Sequence, residues 1–320
     1  MQLLRKTIAK KALADFLKQS VDDISCDLLT GGSDETAIVR CTHLTTNYVV
    51  KFFNTNEFGN NEIAWTQHAS DLDIGPMLYY ADPAGSYMII DFAKGTSLVP
   101  ATANTPAIIK NIATSLAKLH HSSAPFSHTS DIFTRIDAKY KKLHCSNMLK
   151  NILENGMQHV TMIKKQLQSL NISPVPCHND LNPGNIFTSN NQVTLIDWGD
   201  AALGNPYYDI AAFFVLNIIE PKNEKLFFEK YDVNLLNPQW QNDIQLYEQL
   251  VCFEFALNLL LGVQASESEL LHAQQIVPVN NLNYYLTLLA EQEVKINSDF
   301  LYNMAIASLH RMFLTYTEQP

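Results

Sequence analysis

The chain has 320 residues, and 22 lysines and arginines against 32 aspartates and glutamates give it a formal net charge of −10 at neutral pH. An acidic chain is poorly suited to hold nucleic acid through its phosphates, so we expect no nucleic-acid partner. With 47 % hydrophobic and 17 % charged residues, the composition is that of a globular protein rather than a disordered or fibrous one. A chain of this length is expected to form one large domain or two unequal lobes.

The apolar runs and the cysteines bear on the cellular compartment. The longest nearly unbroken apolar runs, residues 210–219 and 253–263, fall short of the roughly 20 residues that cross a bilayer, so we expect no transmembrane helix and no membrane partner. Residues 1–20 lack the features of a secretion signal, which favours a surface helix over a membrane-surface or targeting helix. The five cysteines are far apart and form no CxxC pair, which disfavours a disulfide framework and a zinc site and indicates a reducing cytoplasm.

The first third of the chain is rich in strand signals. Residues 31–34 form a glycine-bearing hairpin turn between the first two predicted strands, and residues 82–85 form a turn between the last two. Residues 54–60 are interpreted as a polar loop whose end caps a helix over 61–70. Strands are predicted over residues 24–30, 36–41, 47–53, 77–80 and 87–91.

Helical periodicity dominates from residue 105 onwards. Apolar residues at three- and four-residue steps predict a helix over 105–121, and a second helical stretch covers about 148–170. A short hairpin-like segment is expected over 186–197, and residues 206–317 are expected to form further helices. The change from strands to helices places a lobe boundary near residues 92–95.

The most informative stretch runs from Cys177 to Asp200. It offers a carboxylate at Asp180, an amide oxygen at Asn185 and a second carboxylate at Asp197. Oxygen donors of this kind suit magnesium, so Asn185 and Asp197 are candidate metal ligands. The remaining carboxylate, Asp180, could orient an attacking hydroxyl.

These residues resemble a known family. The HxDxxxxN motif at residues 178–185 and the following string, residues 196–211, are similar to the aminoglycoside phosphotransferase and choline kinase superfamily, which is related to the protein kinases. The recognisable region covers about residues 29–211. The resemblance implies an α+β, two-lobed, protein-kinase-like fold, with a small antiparallel sheet and one inserted helix in the N-terminal lobe. It predicts a nucleotide-binding lobe over residues 1–92 and a larger, mainly helical catalytic and acceptor-binding lobe over 93–320.

The family template also predicts a phosphate-holding lysine and its partner in the first lobe. Lys51 on the third predicted strand fits the lysine, and Glu62 at the start of the predicted helix is favoured as its partner over Glu57 in the polar loop. The hairpin turn would cover the phosphates through residues such as Gly32 and Ser33, although it lacks the GxGxxG of protein kinases.

The segment of residues 88–95 resembles the linker that reads the adenine edge. Asp91 and Phe92 are therefore candidate nucleotide contacts, as is Ile196 on the opposite side of the ring. Side chains that would close on the adenine are Ile38, Val49, Phe187 and Ile196. Simple core packing is as good an interpretation of each of these four.

Several polar residues of the motif region are assigned structural roles. The resemblance implies that His178 braces the catalytic loop and that Asp209 buttresses it and caps a helix. Asp200 is either close to the metal or merely exposed. The other histidines, including His120 and His121, are interpreted as incidental.

Together these features predict an enzyme, a phosphotransferase that uses ATP and Mg²⁺ to phosphorylate the hydroxyl of a small, cationic molecule. The favoured acceptor is choline, ethanolamine or thiamine-like, with Asp180 as the base and Asn185 and Asp197 completing the catalytic set. An aminoglycoside phosphotransferase is the alternative, and a catalytically silent nucleotide-binding protein is the second alternative. Protein substrates are less favoured.

The acceptor pocket is expected in the second lobe. Acidic residues that would suit a cationic acceptor are Glu248, Glu254, Glu267 and Glu269. Aromatic residues that could form a cage for a quaternary ammonium group are Trp240, Tyr247, Phe253, Tyr284 and Tyr285, although ordinary core packing is the simpler interpretation of each. Residues 258–261 lack the tryptophan often found in choline kinases at this point, which argues against choline itself.

Overall fold

The structure, a computed structural model, describes residues 2–29, 36–145, 147–167, 173–232, 236, 238–267, 277–292 and 294–314. The chain divides into two compact units. The first consists of residues 1–97 and 185–201, and the second of residues 98–184 and 202–320. The structure does not show which unit binds the nucleotide or the acceptor. The assignment of nucleotide binding to residues 1–92 and of acceptor binding to residues 93–320 therefore stays a prediction.

The first unit is built on a five-stranded antiparallel sheet in the order β1-β2-β3-β5-β4. Its strands are β1 (Ile24–Leu28), β2 (Thr36–His43), β3 (Thr46–Phe53), β4 (Leu78–Ala81) and β5 (Tyr87–Asp91). In β2 every second side chain, Ala37, Val39 and Cys41, is buried, as expected for a strand with one covered face. All five predicted strands are therefore confirmed, with bounds that differ by a few residues.

Helix α1 (Gln2–Leu17) covers one face of this sheet, and it confirms the predicted N-terminal helix. Ala9, Leu13 and Ala14 share a buried cluster with residues of β1, β2, β3 and β5. The same cluster contains a disulfide between Cys26 and Cys41, so the expectation that the cysteines do not pair is wrong for these two. The β1–β2 register places them directly opposite each other, and a separation of 15 residues in sequence does not reveal this register. The cytoplasmic location stays a prediction.

Helix α2 (Asn56–Asp71) begins five residues before the predicted start at residue 61. Thr55 caps it, because its side chain accepts a hydrogen bond from the Phe58 backbone N–H at 3.3 Å. Gly59, which the sequence predicts to lie in a loop, lies inside α2, where the backbone of Gly85 approaches it closely. A Cβ there would lie 2.0 Å from the Gly85 carbonyl oxygen.

The predicted hairpin over residues 186–197 is confirmed as β8 (Ile186–Ser189) and β9 (Gln192–Leu195), and the other edge of β8 pairs with the short β6 (Thr96–Ser97). Asn190 and Asn191 form its turn, with φ of 50° and 63°. Two consecutive residues with positive φ are the mark of a type I′ turn, which matches the twist of a hairpin and favours asparagine.

The second unit is mainly helical, as predicted. Its helices are α3 (Pro100–Ala103), α4 (Pro106–His121), α5 (Ile132–Lys142), α6 (Asn147–Leu167), α7 (Pro206–Leu216), α8 (Pro221–Phe228), α9 (Trp240–Glu267), α10 (Leu282–Ala290) and α11 (Ser298–Phe313). One small antiparallel pair, β7 (Val175–Cys177) and β10 (Ala202–Gly204), lies among them. Helices α3 and α5 and this strand pair were not expected from the sequence.

Helix α9 forms the centre of the second unit, where it packs against α5, α6, α7 and α11. By length and composition alone its residues Trp240–Ala265 could cross a membrane, although the unbroken apolar runs within it are shorter. However, 61 % of its most apolar stretch is buried inside the protein. A core helix of a soluble protein passes the same test, so this feature is weak evidence for a membrane span.

Candidate active site

A buried cluster of opposite charges lies in the first unit. Lys51, on β3, directs its ammonium group to the carboxylates of Glu62 on α2 and Asp197 after β9. The Lys51 Nζ lies 2.7 Å from the Asp197 Oδ1 and contacts the Glu62 Oε1 even more closely. The contact of Lys51 with Glu62 is the one predicted from the sequence, and Glu57 is exposed on the first turn of α2; the contact of Lys51 with Asp197 was not predicted.

The charges in this cluster differ in their exposure. Lys51 and Glu62 have side chains that are 6 % and 1 % exposed, whereas the Asp197 side chain is 46 % exposed. Burial lowers the pKa of Lys51, but the charges of Glu62 and Asp197 outweigh it, and the pKa lies above its ordinary value. The ammonium group therefore remains charged at neutral pH. The exposed side of Asp197 is the part of the cluster that a ligand can reach.

The backbone around Asp197 is held in an uncommon conformation. Asp197 has φ of 63°, in the left-handed region, where residues other than glycine are disfavoured. The following Trp198 is buried and donates a hydrogen bond to the Leu195 carbonyl at 3.1 Å, which closes the turn. On the other side, Ile196 donates its backbone N–H to the Asn185 carbonyl at 2.9 Å. These bonds tie the segment that carries Asp197 to the segment that carries Asn185.

The donor atoms in this region fit a magnesium ion. Asn185 offers a buried amide oxygen and Asp197 a half-exposed carboxylate, and both belong to the first unit. Magnesium prefers carboxylate and neutral oxygen ligands and keeps several waters, so it needs only one or two such side chains from the protein. The Glu62 Oε2 is buried without a hydrogen-bond partner among the described residues.

The predicted nucleotide contacts divide into two groups. Val49 belongs to an apolar cluster of the first unit against which Ile38 and Phe92 pack, while Asp91 ends β5 and Ile196 follows β9, both half-buried. Packing in a core accounts for Ile38, Val49 and Phe92 without a ligand. Gly32 and Ser33 lie outside the described residues, so their predicted contact with phosphate stays a prediction.

The second unit holds the loop that carries Asp180. The buried Asp209 carboxylate accepts the backbone N–H of His178 and of Asn179, both at 2.8 Å. His178 Nδ1 in turn accepts the Asp180 N–H at 3.3 Å, and Asp180 Oδ1 accepts a bond from Asn182 Nδ2 at 2.8 Å. His178 and Asp209 thus have the bracing positions that the resemblance implied, but the expectation that Asp209 caps a helix is wrong, because Asn205 caps α7 by accepting the Tyr207 N–H at 3.0 Å.

His120 is a member of this network that the sequence interpretation missed. It is buried, and its Nε2 lies 3.1 Å from Asp209 Oδ2 while its Nδ1 lies 2.7 Å from the Tyr231 hydroxyl. The interpretation of His120 as incidental is therefore wrong. Its place on the buried face of α4, four residues after Leu116, was the available signal.

The same histidine lies near Cys177 and Asp209 in an arrangement that resembles a metal site, because one ligand atom from each lies within 4.8 Å of the others. The Asp209 carboxylate already accepts three hydrogen bonds, and burial raises the pKa of the Cys177 thiol well above its ordinary value. Hydrogen bonding therefore explains this cluster without a metal ion.

Two of the acidic residues predicted to bind a cationic acceptor, Glu248 and Glu254, are buried inside the second unit. The Glu254 carboxylate is buried and paired with Arg135 and Lys139, at 2.8 and 2.6 Å, so it is not available for a cationic ligand. Burial raises the pKa of Glu248 to about 8, which leaves it largely neutral at pH 7. Arg135 and Lys139 therefore already pair with Glu254, and Glu248 is buried inside the protein. Glu269 lies outside the described residues, as does the side chain of Glu267.

The five candidate aromatic residues do not form one cage. Phe253 is fully buried on α9, and Trp240 packs on Phe228 with ring centroids 4.1 Å apart. Tyr247 packs on Tyr207, and the neighbouring Tyr284 and Tyr285 pack on each other. Core packing, the simpler interpretation, accounts for these contacts.

A polar network around Arg135 was not predicted. Arg135 lies on α5 and contacts Glu254 on α9 and Tyr208 on α7. The three residues lie on three different helices, and Glu254 is 46 positions from Tyr208 and 119 from Arg135, so only the packing of the helices brings them together. Arg135, Tyr208 and Tyr247 are among the residues that line a cavity of about 180 Å³ in this unit.

The sequence was also compared with known proteins. A sequence model of the choline/ethanolamine kinase family matches residues 30–251, more than half of the chain. The chain belongs to the choline/ethanolamine kinase family. It is accordingly a small-molecule kinase that binds a nucleotide, which confirms the class of enzyme predicted from the motif region.

Individual relatives of this kinase are distant. The LicA homolog of Metamycoplasma hominis is 23 % identical over 189 residues, which cover 59 % of this chain and 70 % of the relative. The choline kinase LicA of Streptococcus pneumoniae has a similar structure, with a TM-score of 0.69 at 18 % identity, covering 96 % of this chain and 99 % of the other.

A spectinomycin phosphotransferase solved with ADP and spectinomycin is also similar, with a TM-score of 0.59 at 15 % identity, covering 88 % of this chain and 92 % of the other. These likenesses confirm the protein-kinase-like α+β fold. At such identities they show the fold alone and do not identify the acceptor of this kinase.

Proposed function

We propose that this kinase transfers the γ-phosphate of ATP to the hydroxyl of a small amino alcohol, of the choline or ethanolamine type. The observation that carries the proposal is the contact of Lys51 with both Glu62 and Asp197, in a chain of the choline/ethanolamine kinase family. A buried lysine between two carboxylates is the arrangement that holds phosphate oxygens in kinases. A nucleotide-binding protein without activity would not need all three groups.

In the proposed reaction the acceptor hydroxyl oxygen bonds to the γ-phosphorus of ATP, and the bond from this phosphorus to the bridging oxygen breaks, so that ADP leaves. Lys51 binds phosphate oxygens, and Glu62 keeps its ammonium group in place. Asp180 receives the proton of the acceptor hydroxyl. Its orientation is maintained by the bonds of His178 and Asn179 to Asp209.

Magnesium, when bound by Asn185 and Asp197, supplies positive charge that offsets the charge of the phosphates. The half-exposed Asp197 carboxylate supports this assignment because a ligand can approach it.

The test is a screen of the purified protein with ATP and Mg²⁺ against choline, ethanolamine, thiamine and several aminoglycosides. Phosphorylated product is measured directly, because ADP release alone also reports hydrolysis. We expect choline or ethanolamine to be the best acceptor by kcat/KM. Preference for an aminoglycoside would support the alternative of a resistance-type enzyme, and ATP binding without product from any acceptor would support a silent binding protein.

The matched variant for this screen is Asp180→Asn, which keeps the shape of the side chain and removes its basicity. We expect turnover to fall on the order of 10²- to 10⁴-fold, the usual contribution of general acid–base catalysis. ATP binding, measured separately by calorimetry, should barely change. Loss of ATP binding with preserved transfer per bound ATP would show that Asp180 has a structural or metal-binding role instead.

A further inference from the structure

The buried carboxylate of Glu254, on α9, accepts hydrogen bonds from donors on two other helices, α5 and α7. Arg135 binds it with two nitrogens, Nε to Oε1 at 2.8 Å and Nη2 to Oε2 at 3.0 Å. Lys139 Nζ adds a bond at 2.6 Å and the Tyr208 hydroxyl another at 2.7 Å. A paired, bidentate geometry fixes the plane of the guanidinium group as well as its position.

The fixed guanidinium group then reaches the loop that carries Asp180. The third nitrogen of Arg135, Nη1, donates to the Ser130 hydroxyl at 2.8 Å and to the Asn179 Oδ1 at 3.2 Å. The face of the guanidinium group lies over the Tyr208 ring, with Cζ 4.3 Å from the ring centroid. Arg135 therefore joins the rigid carboxylate on α9 to the side chain of Asn179.

Asn179 is a residue whose conformation needs support. Its φ of 64° lies in the left-handed region, which asparagine tolerates better than most residues but still adopts at a cost. Its backbone N–H is held by Asp209 at 2.8 Å, and its side chain is held by Arg135. Because Asn179 and Arg135 both line the 180 Å³ cavity, packing on that side is incomplete and the hydrogen bond matters more.

We propose that Arg135 is a positioning residue for Asp180: by fixing the side chain of Asn179, it sets the direction in which the next residue presents its carboxylate. The proposal rests on the proposed role of Asp180 as the base. Glu254 and Tyr208 act one step further away, since they hold Arg135. A displacement of about 1 Å in a reacting group can lower turnover on the order of 10²-fold, so an indirect contact of this kind can matter for the rate.

The test compares three substitutions, each of which leaves the buried Glu254 carboxylate paired with at least one positively charged side chain. Arg135→Lys retains the positive charge but cannot bind Glu254 and Asn179 at the same time. Asn179→Gly removes the Oδ1 acceptor while allowing the positive φ. Ser130→Ala, the control, removes the other acceptor of the same nitrogen.

We expect Arg135→Lys and Asn179→Gly each to lower kcat on the order of 10-fold or more, with KM for ATP within about twofold of wild type. Ser130→Ala should stay within about threefold in kcat. In the Asp180→Asn background, Arg135→Lys should cause no further loss, because no base remains to be positioned. Product formation and thermal unfolding are measured for every variant.

A merely structural brace predicts a different result: Arg135→Lys and Asn179→Gly would lower the melting temperature and leave kcat near wild type, or would lower kcat by the same factor with and without Asp180. Either outcome overturns the positioning role. Failure of the proposed function is distinct, because Asp180→Asn itself would then retain normal turnover, or wild type would phosphorylate none of the acceptors.

Discussion

Glu254 makes an acid-sensitive contribution to stability that can be measured by replacing it with glutamine. Burial would raise its pKa, but hydrogen bonds and charge from Arg135, with a further contribution from Lys139, lower the pKa from 4.5 to about 2. At 1.36 kcal/mol per pKa unit, this shift corresponds to about 3 kcal/mol of stability. The side chain is 3 % exposed, so little of this interaction is screened by solvent.

The sign follows from the depressed pKa. The contribution is complete above the unfolded pKa of about 4.5 and is lost as the pH falls towards the folded pKa of about 2, because the unfolded chain takes up the proton first. Glu254→Gln should therefore be less stable than wild type by about 3 kcal/mol at pH 6, and by roughly half as much at pH 3.

The measurement is urea unfolding of wild type and Glu254→Gln at both pH values, with the difference between the two proteins as the readout. Glu291→Gln, at an exposed carboxylate after α10, is the control and should differ from wild type by less than about 0.5 kcal/mol at either pH. A difference below about 1 kcal/mol at pH 6, or one that does not shrink at pH 3, would refute the reasoning about Glu254.

Three further predictions follow from other contacts. Lys51→Ala should lower kcat and raise the KM for ATP more than Glu62→Ala does, because Glu62→Ala removes only one of the two carboxylates that contact the ammonium group. Steady-state kinetics measures both variants, and a larger effect of Glu62→Ala would show that the roles of the pair are wrongly assigned. Asp197→Asn should lower turnover on the order of 10²-fold or more, because it removes the charge while keeping a side chain that tolerates φ of 63°. Near-normal turnover would show that Asp197 is not part of the active site. Gly156→Ala should lower the melting temperature, because a Cβ there would lie 2.3 Å from the buried ring of Phe253 on α9. Gly262→Ala should stabilise the protein by about 0.5–1 kcal/mol, because the nearest neighbour of its Cβ would be 4.0 Å away. Equal effects of the two substitutions would contradict this packing.

Short-range patterns in the sequence predicted much of this protein. Strands were recognisable because β-branched and aromatic runs alternate between a covered and an open face, and α4 because its apolar residues recur at helical spacing. The motif residues Asp180, Asn185 and Asp197 were recognisable because their spacing is a local property of the chain.

Errors arose where a local signal had two meanings. Gly59 was interpreted as a loop residue, and its position inside α2 depends on a close approach of the Gly85 backbone, which no local pattern records. The sequence does not reveal the role of His120, because its partners Asp209 and Tyr231 are 89 and 111 positions away in the chain. The sequence does not reveal the disulfide between Cys26 and Cys41, because the register of two strands decides whether their sulfurs meet.

The sequence by itself determined the type of most helices and strands, the candidate base and metal ligands, and the class of enzyme. The tertiary structure decided which charged groups form ion pairs. Nothing in the sequence distinguishes Glu254 from the other glutamates, but in the folded protein it pairs with Arg135 and Lys139. The tertiary structure also decided that Lys51 contacts Asp197 as well as the predicted Glu62, because Lys51 and Asp197 are 146 positions apart in sequence. The physical reason is that the free energy of a charge depends on its burial and its partners, and both are set by contacts between residues far apart in the chain.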